Sequence, residues 1–235
     1  MTRTTAFPDV RRADAGTALI SSWIVPDPAV QTAAADAVIA AWDGQERPDA
    51  MLSLTAFLSA DGSHVLHYAQ WTDDEAHLAW ARARRAAAIS PIDEAIPGIR
   101  RPGLVRYRRH RSHLPAVASG GAPTLLVTPT FGTSGPDTQR ALADTVLDVL
   151  ADAQVPGLLG AHFHLSQDGS RVLNYAEWES SSAWRAFADG RVSARLAGII
   201  AGLPGVTIAD ASSGPPHYRL HHSLVNVAPP TRATA

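Results

Sequence analysis

Asp61-Gly-Ser-His-Val-Leu-His-Tyr-Ala-Gln-Trp71 returns 107 residues later as Asp168-Gly-Ser-Arg-Val-Leu-Asn-Tyr-Ala-Glu-Trp178. The same offset sets Leu19-Ile-Ser21 on Leu126-Val-Thr128, Trp80 on Phe187, Arg84 on Arg191 and Ile96-Pro-Gly98 on Leu203-Pro-Gly205, without a gap between motifs. A register held over so many positions means two copies of one unit. The copies span about residues 14–113 and 121–226, and the small-residue stretch Leu114-Pro-Ala-Val-Ala-Ser-Gly-Gly-Ala122 joins them. Short tails at both ends are expected to be mobile.

Around each copy of the quoted stretch the signals run strand, helix, hairpin, helix, strand. Thr17–Val25 and Thr124–Phe131 are β-branched and apolar, and each precedes a helix start, Asp27-Pro28 in one copy and Gly135-Pro136 in the other. Asp61-Gly62 and Asp168-Gly169 stand between extended apolar runs, a strong hairpin signal. Past each tryptophan, Thr72-Asp-Asp-Glu75 reads as a capping box and Ser180 as an N-cap. Final strands are expected over about Gly103–His110 and Val206–Leu220, the latter interrupted at Gly214-Pro-Pro216. The order β-α-β-β-α-β describes an α+β, ferredoxin-like unit, one antiparallel sheet with helices on a single face. The other sheet face is left bare, so the two tandem units are expected to face each other as an intramolecular α+β barrel.

Of 235 residues, 46% are hydrophobic and 18% charged, the composition of a globular protein. The 22 acidic and 20 basic residues give a net charge of −2, which supplies no field for nucleic acid or for an anionic membrane surface. Cysteine is absent, excluding disulfides, thiolate nucleophiles and iron–sulfur clusters. All 20 basic residues are arginine, so no lysine is available for a Schiff base or a phosphate-binding loop. Met1–Gly16 has no apolar core, and no apolar run approaches the roughly 18–20 residues of a membrane span, so a cytoplasmic address is expected.

Alternate strand residues share a face, which puts Asn174, Ala176 and Trp178 on one side and Tyr175 and Glu177 on the other. A carboxamide and an indole then line one wall, with a methyl between them leaving room. A planar ligand stacks on the indole while the amide bonds a phenolic or ketone oxygen. His67 and Trp71 occupy the corresponding places of the first copy, whereas Tyr68 and Tyr175 should face the opposite sheet as packing.

Asn174-Tyr-Ala-Glu-Trp178, preceded by Asp168-Gly-Ser and followed directly by a helix, resembles the signature of the antibiotic biosynthesis monooxygenase family. His67-Tyr-Ala-Gln-Trp71 resembles a variant of it. The resemblance implies a dimeric α+β barrel, and oxygenases that oxidise polycyclic aromatic polyketides with molecular oxygen, often without metal or flavin. It implies catalytic roles for Asn174 and Trp178, with His67 and Trp71 behind them. His67 departs from the pattern, because histidine can act as a base near neutral pH and asparagine cannot. Six residues past each tryptophan stand His77 and Trp184, where related oxygenases can carry a substrate-contacting tyrosine. Arg84 and Arg191, matched on the second helices, are candidates to pair with a substrate oxygen.

The function expected is oxidation of a polycyclic phenol or anthrone to a quinone or hydroxylated product, with no metal and no tightly bound cofactor. The partners are a small aromatic substrate and oxygen, and the chain is a monomer with an internal pseudo-dimer, or a homodimer. One alternative uses reduced flavin taken from solution; another is a non-catalytic or stress-related barrel that only holds an aromatic ligand. A non-oxidative isomerase or cyclase would use the same pocket for acid–base work.

His162-Phe-His164 invites a metal reading. A simple hairpin closed at Asp168-Gly169 places Phe163 opposite Asn174 and His164 opposite Leu173, so both histidines face away from Asn174. A third ligand would have to come from His217, His221 or His222, and no metal site is expected. Ala81 and Ala188 stand where related haem-degrading barrels would carry the axial histidine, which disfavours haem. No G-x-S-x-G, H-E-x-x-H, G-x-G-x-x-G or P-loop motif occurs.

Overall fold

The computed structural model describes residues 1–43, 48–115, 121–209 and 214–226. The joining stretch expected at Leu114–Ala122 therefore lies mostly outside the described residues. The elements in chain order are β1 (Thr2–Thr4), β2 (Thr17–Ile24), α1 (Gln31–Asp43, entered through a 3-10 turn at Pro28–Val30), β3 (Met51–Ser59), β4 (His64–Trp71), α2 (Asp74–Ala95) and β5 (Val105–His113). They continue with β6 (Leu125–Val127), β7 (Thr130–Thr133), α3 (Pro136–Ala153), β8 (Leu158–Ser166), β9 (Arg171–Trp178), α4 (Ser181–Ala188), α5 (Arg191–Ala201), β10 (Val206–Ile208) and β11 (His217–Val225).

Two compact units emerge: Met1–Leu104 together with the chain from Leu220, and Val105–Arg219. They depart from the sequence repeats at the last strands. In the first unit the order is β1-β11-β3-β4-β2, in the second β5-β8-β9-β7-β10. Each Asp-Gly hairpin is thus flanked by its own repeat's first strand on one side and by the other repeat's last strand on the other. The pairings are antiparallel, with helices laid on one face of each sheet, and the units are α+β and ferredoxin-like. Among the described residues no helix is long and apolar enough to cross a membrane.

The hairpins form as read. Asp61 Oδ1 accepts the Ser63 backbone N–H and Asp168 Oδ1 that of Ser170, each at 3.0 Å, while Gly62 and Gly169 take φ of +77° and +76°. Serine hydroxyls donating to the two carboxylates hold both at about 2. A glutamine on each first helix clamps the open end of the hairpin. Gln31 Nε2 donates to the carbonyls of Ser59 (3.1 Å) and His64 (2.7 Å), and Gln139 Nε2 to those of Ser166 (3.0 Å) and Arg171 (2.7 Å).

These contacts correct the repeat register. Gln31 answers to Gln139 and Pro28 to Pro136, which is 108 residues, not 107. The sheet agrees: Leu19 lies opposite Ala69, and Val127, not Leu126, opposite Ala176. First strand and first helix therefore run at offset 108, and the hairpin onward at 107. The difference is absorbed between α1 and β3. A one-residue slip inverts every side chain of a strand, so the distinction decides which residues face the helices. Leu19 and Trp23 of β2 join the helix-side core of the first unit, as Val127 and Phe131 join that of the second.

Other boundaries shift for local reasons. The N-cap of α2 is Asp73 rather than Thr72, because the carboxylate accepts the Ala76 N–H (2.8 Å) while the Thr72 hydroxyl donates to Asp73. The first strand of the second repeat splits into β6 and β7 at Thr128-Pro129, where proline cannot donate to the ladder. The last strand expected as one becomes β10 and β11, with 210–213 outside the described residues. The N-terminal tail, expected to be mobile, is held: β1 pairs with β11, Phe7 packs edge-on against Phe57, and the Asp9 carbonyl accepts from Gln70.

Candidate functional site

β9 pairs with β8 in the register expected, Phe163 opposite Asn174 and His164 opposite Leu173. Asn174, Ala176 and Trp178 point towards the helices. Trp178 meets Trp184 of α4 edge-on at 5.2 Å and Phe187 at 5.2 Å. Trp71 in the first unit does the same with His77 (5.0 Å, edge-on) and Trp80 (5.8 Å) of α2. The matched positions therefore build matched aromatic walls, each from a strand and the helix that follows it.

The polar atoms on these walls are conspicuous for what they lack. Asn174 is 8% exposed and Trp178 2%, yet Asn174 Oδ1 and Trp178 Nε1 have no hydrogen-bond partner. Each such atom costs about 1–3 kcal/mol when nothing satisfies it. Pro129 stands opposite Asn174 and accepts its backbone N–H at 3.0 Å. Asn174 and Trp178, four residues apart on an extended strand, are separated by about 13 Å, the scale of a three- or four-ring planar molecule.

His67 shares the first wall with Trp71. It is 5% exposed, and neither ring nitrogen has a partner. Its ring meets Trp23 at 4.5 Å, and the Arg101 guanidinium lies 4.0 Å over the same indole. Burial, reinforced by the Arg101 charge, pushes His67 down to about 3. This corrects the expectation of a base near neutral pH: the imidazole stays neutral there and holds a proton too weakly to take one from a phenol. Taking one from a group near 10 would cost about 1.4 kcal/mol for each of some seven pH units. Trp23 and Arg101, 78 residues apart, carry no motif that could have announced them.

His77 is buried against Trp71, and Trp184 is half-buried between Trp178 and His217 (5.5 Å). Arg84 and Arg191 are exposed, Arg84 within α2 and Arg191 at the first position of α5 after a break at Asp189-Gly190. Among the described residues no hydrogen bond or ring contact ties either of them to the aromatic walls. Tyr68 and Tyr175 lie buried on the sheet faces away from the helices.

His162 and His164 share that face with Tyr175. His162 bonds Ser112 through Nδ1 (2.8 Å) and approaches Glu177 Oε2 at 3.6 Å; His164 bonds the His162 carbonyl (3.0 Å). Burial and the His162 charge hold His164 at about 3. Gly160 makes room for the pair, since a Cβ there would stand 2.7 Å from His162 Nε2 and 3.3 Å from Glu177 Oε2. The other histidines are engaged elsewhere: His221 pairs with Asp36 at 2.8 Å, and His222 lies 3.2 Å from Arg3. Asp36, His221 and His222 bring ligand atoms within 4.8 Å of one another. The Arg3 guanidinium, also 3.7 Å from Asp36, already supplies the positive charge a metal ion would bring.

Residues 135–195, which carry α3, the β8–β9 hairpin and the start of the second helix pair, match the antibiotic biosynthesis monooxygenase family model. The tetracenomycin-F1 monooxygenase of Streptomyces glaucescens is 45% identical over 65 residues, 26% of this chain and 57% of that protein. The match thus spans little more than half the length of this curated relative. The crystal structure of an anthrone oxidase-like protein shares the fold, with a TM-score of 0.69 at 16% identity over 89% of this chain and 92% of that one. The likeness to the antibiotic biosynthesis monooxygenase family model lies in the second repeat.

Proposed function

We propose that the chain is a monooxygenase that oxidises a planar polycyclic phenol or anthrone with molecular oxygen, bound on the helix-side wall of β9. The observation that carries this reading is the pair of buried, unpartnered atoms Asn174 Oδ1 and Trp178 Nε1. One accepts and the other donates, so together they suit a ligand with a phenolic O–H at one end and a carbonyl or phenolate oxygen at the other. They lie within residues 135–195, which match the antibiotic biosynthesis monooxygenase family model.

In this reading the substrate, deprotonated to its anion, reduces oxygen itself, without metal or tightly bound flavin. An anthrone carbon loses two hydrogens and gains one oxygen atom, and the second oxygen atom leaves as water. The protein binds, orients and stabilises charge. Trp178 N–H donates to the oxygen on which negative charge grows, in a site closed to water. The His67 wall of the first repeat does not supply the base.

The test is oxygen uptake by the chelator-treated protein with anthrones and dihydroxynaphthalenes, with and without reduced flavin. Uptake above the enzyme-free rate without flavin is the expected result. Uptake only with flavin overturns the cofactor-free chemistry, and binding of these compounds without uptake under either condition overturns the oxygenase.

A further inference from the structure

We propose that Arg101, His67 and Trp23 form a second binding site, in the first unit, for a planar aromatic anion whose charged oxygen is held by the guanidinium and the imidazole. Nothing in it depends on oxidation at Asn174.

Arg101 is a cation whose donors are only partly satisfied. Arg101 Nη1 pairs with Asp93 at 2.6 Å, while Nε and Nη2 are buried and bond nothing. Nε and one Nη are the edge with which a guanidinium grips a carboxylate or a phenolate. Beside the same indole, both ring nitrogens of His67 are buried and unpartnered, so one N–H donor waits there as well. Trp23 and Trp71 provide aromatic surface on the His67 side of the sheet, as the β2–β4 register requires.

A structural purpose would give both repeats the same arrangement, and they differ here. Under the corrected register Trp23 answers to Phe131, and Arg101 to Ile208, which pairs directly with Phe131. Asp93 answers to Ile200, a core residue, and His67 to Asn174. In the second unit Phe131, Ile208 and Ile200 stand where the first has the indole, the guanidinium and its carboxylate, and Ile208 is exposed. The fold therefore does not require a cation with two buried, unbonded donors, which cost stability until an acceptor arrives. An arriving anion satisfies Arg101 and His67 together, and its ring plane finds the indoles. Carboxylate and phenolate share this chemistry.

Binding to the full chain at pH 7 is measured by calorimetry with 2-naphthoate, with 2,4-dinitro-1-naphtholate, and with neutral 2-naphthamide of the naphthoate's shape. The expected result is a preference of at least about tenfold for one or both anions over the amide. The arm that binds tells carboxylate from phenolate. Arg101→Gln should abolish the preference, Arg101→Lys should keep part of it, and His67→Asn should weaken anion binding. Equal binding of anion and amide, no binding of either, or an unchanged preference in folded Arg101→Gln overturns the proposal. Should Arg101→Gln fail to fold, Arg101→Lys and His67→Asn decide it: unchanged anion affinity in both overturns it equally. Absence of oxygen uptake sinks the oxygenase reading and leaves this one standing.

Discussion

Pro129 lies directly opposite Asn174, takes its backbone N–H, and has no N–H to return. The ladder is thereby interrupted beside the residue whose side-chain oxygen is also unpaired. Ordinary folding pressure would fill such a gap; a ligand contact explains why it is kept. Asn174→Ala should lower turnover about 10²-fold, the usual loss for one positioned polar group. Its melting temperature should move by only a few degrees, because the deleted oxygen satisfied nothing. Initial oxygen uptake and thermal denaturation on one preparation check both halves.

Acid should unfold the protein earlier than its carboxylates alone would dictate. His67 and His164 both titrate at about 3 when folded, against about 6.5 unfolded. The unfolded chain binds more protons between those limits, so the stability they confer is full above about 6.5 and falls as pH drops towards 3. Each contributes up to about 1.4 kcal/mol per pH unit in that window. Urea denaturation at pH 7 and 5 should show the loss, and His67→Asn should make it shallower. An unchanged pH slope in that variant would mean that His67 is not held neutral.

The glutamine clamps should be worth more than their surface-like residue type suggests. Gln139→Ala removes the donor that ties the ends of β8 and β9 and should cost about 1–3 kcal/mol, because the Arg171 carbonyl loses it outright while the Ser166 carbonyl keeps the Gly169 N–H at 3.1 Å. Gln31→Ala should cost a similar amount in the first unit. The denaturant midpoint is the measurement, with thermal melting as a second probe.

Gly160→Ala should disturb one polar pair without touching the aromatic wall. Its methyl would enter the space of His162 Nε2 and Glu177 Oε2. Stability should fall by about 1–3 kcal/mol, with oxygen uptake retained at permissive temperature.

Turn chemistry and strand periodicity were legible because they are local. Asp61-Gly62 and Asp168-Gly169 dictate their own turns, and those turns set the β8–β9 register that sends Asn174 and Trp178 one way and His162 and His164 the other. The offset of the first strands was not legible. Leu19-Ile-Ser21 matches Leu126-Val-Thr128 by residue type, and only bonding partners reveal that Leu19 answers to Val127. The interleaving of last strands is equally silent, since β5 would look the same in either sheet. Arg101 over Trp23 and the neutrality of His67 depend on burial, which long-range packing creates. The clamping glutamines do carry a sequence signal, because Gln31 and Gln139 keep the 108-residue spacing of Pro28 and Pro136.

The placement of β11 has a consequence for how the chain acquires its structure. Thr55 of β3 bonds Ser223, a partner 168 residues away, and Asn226 N–H reaches the Leu52 carbonyl. During synthesis the β3 edge therefore stays uncovered while the whole second repeat is made. An open strand edge is a template for the wrong partner, another nascent chain included. Contacts so distant in sequence also form late and slowly. The first repeat is made first and finished last, and the interval between those events is when the protein is most exposed to aggregation.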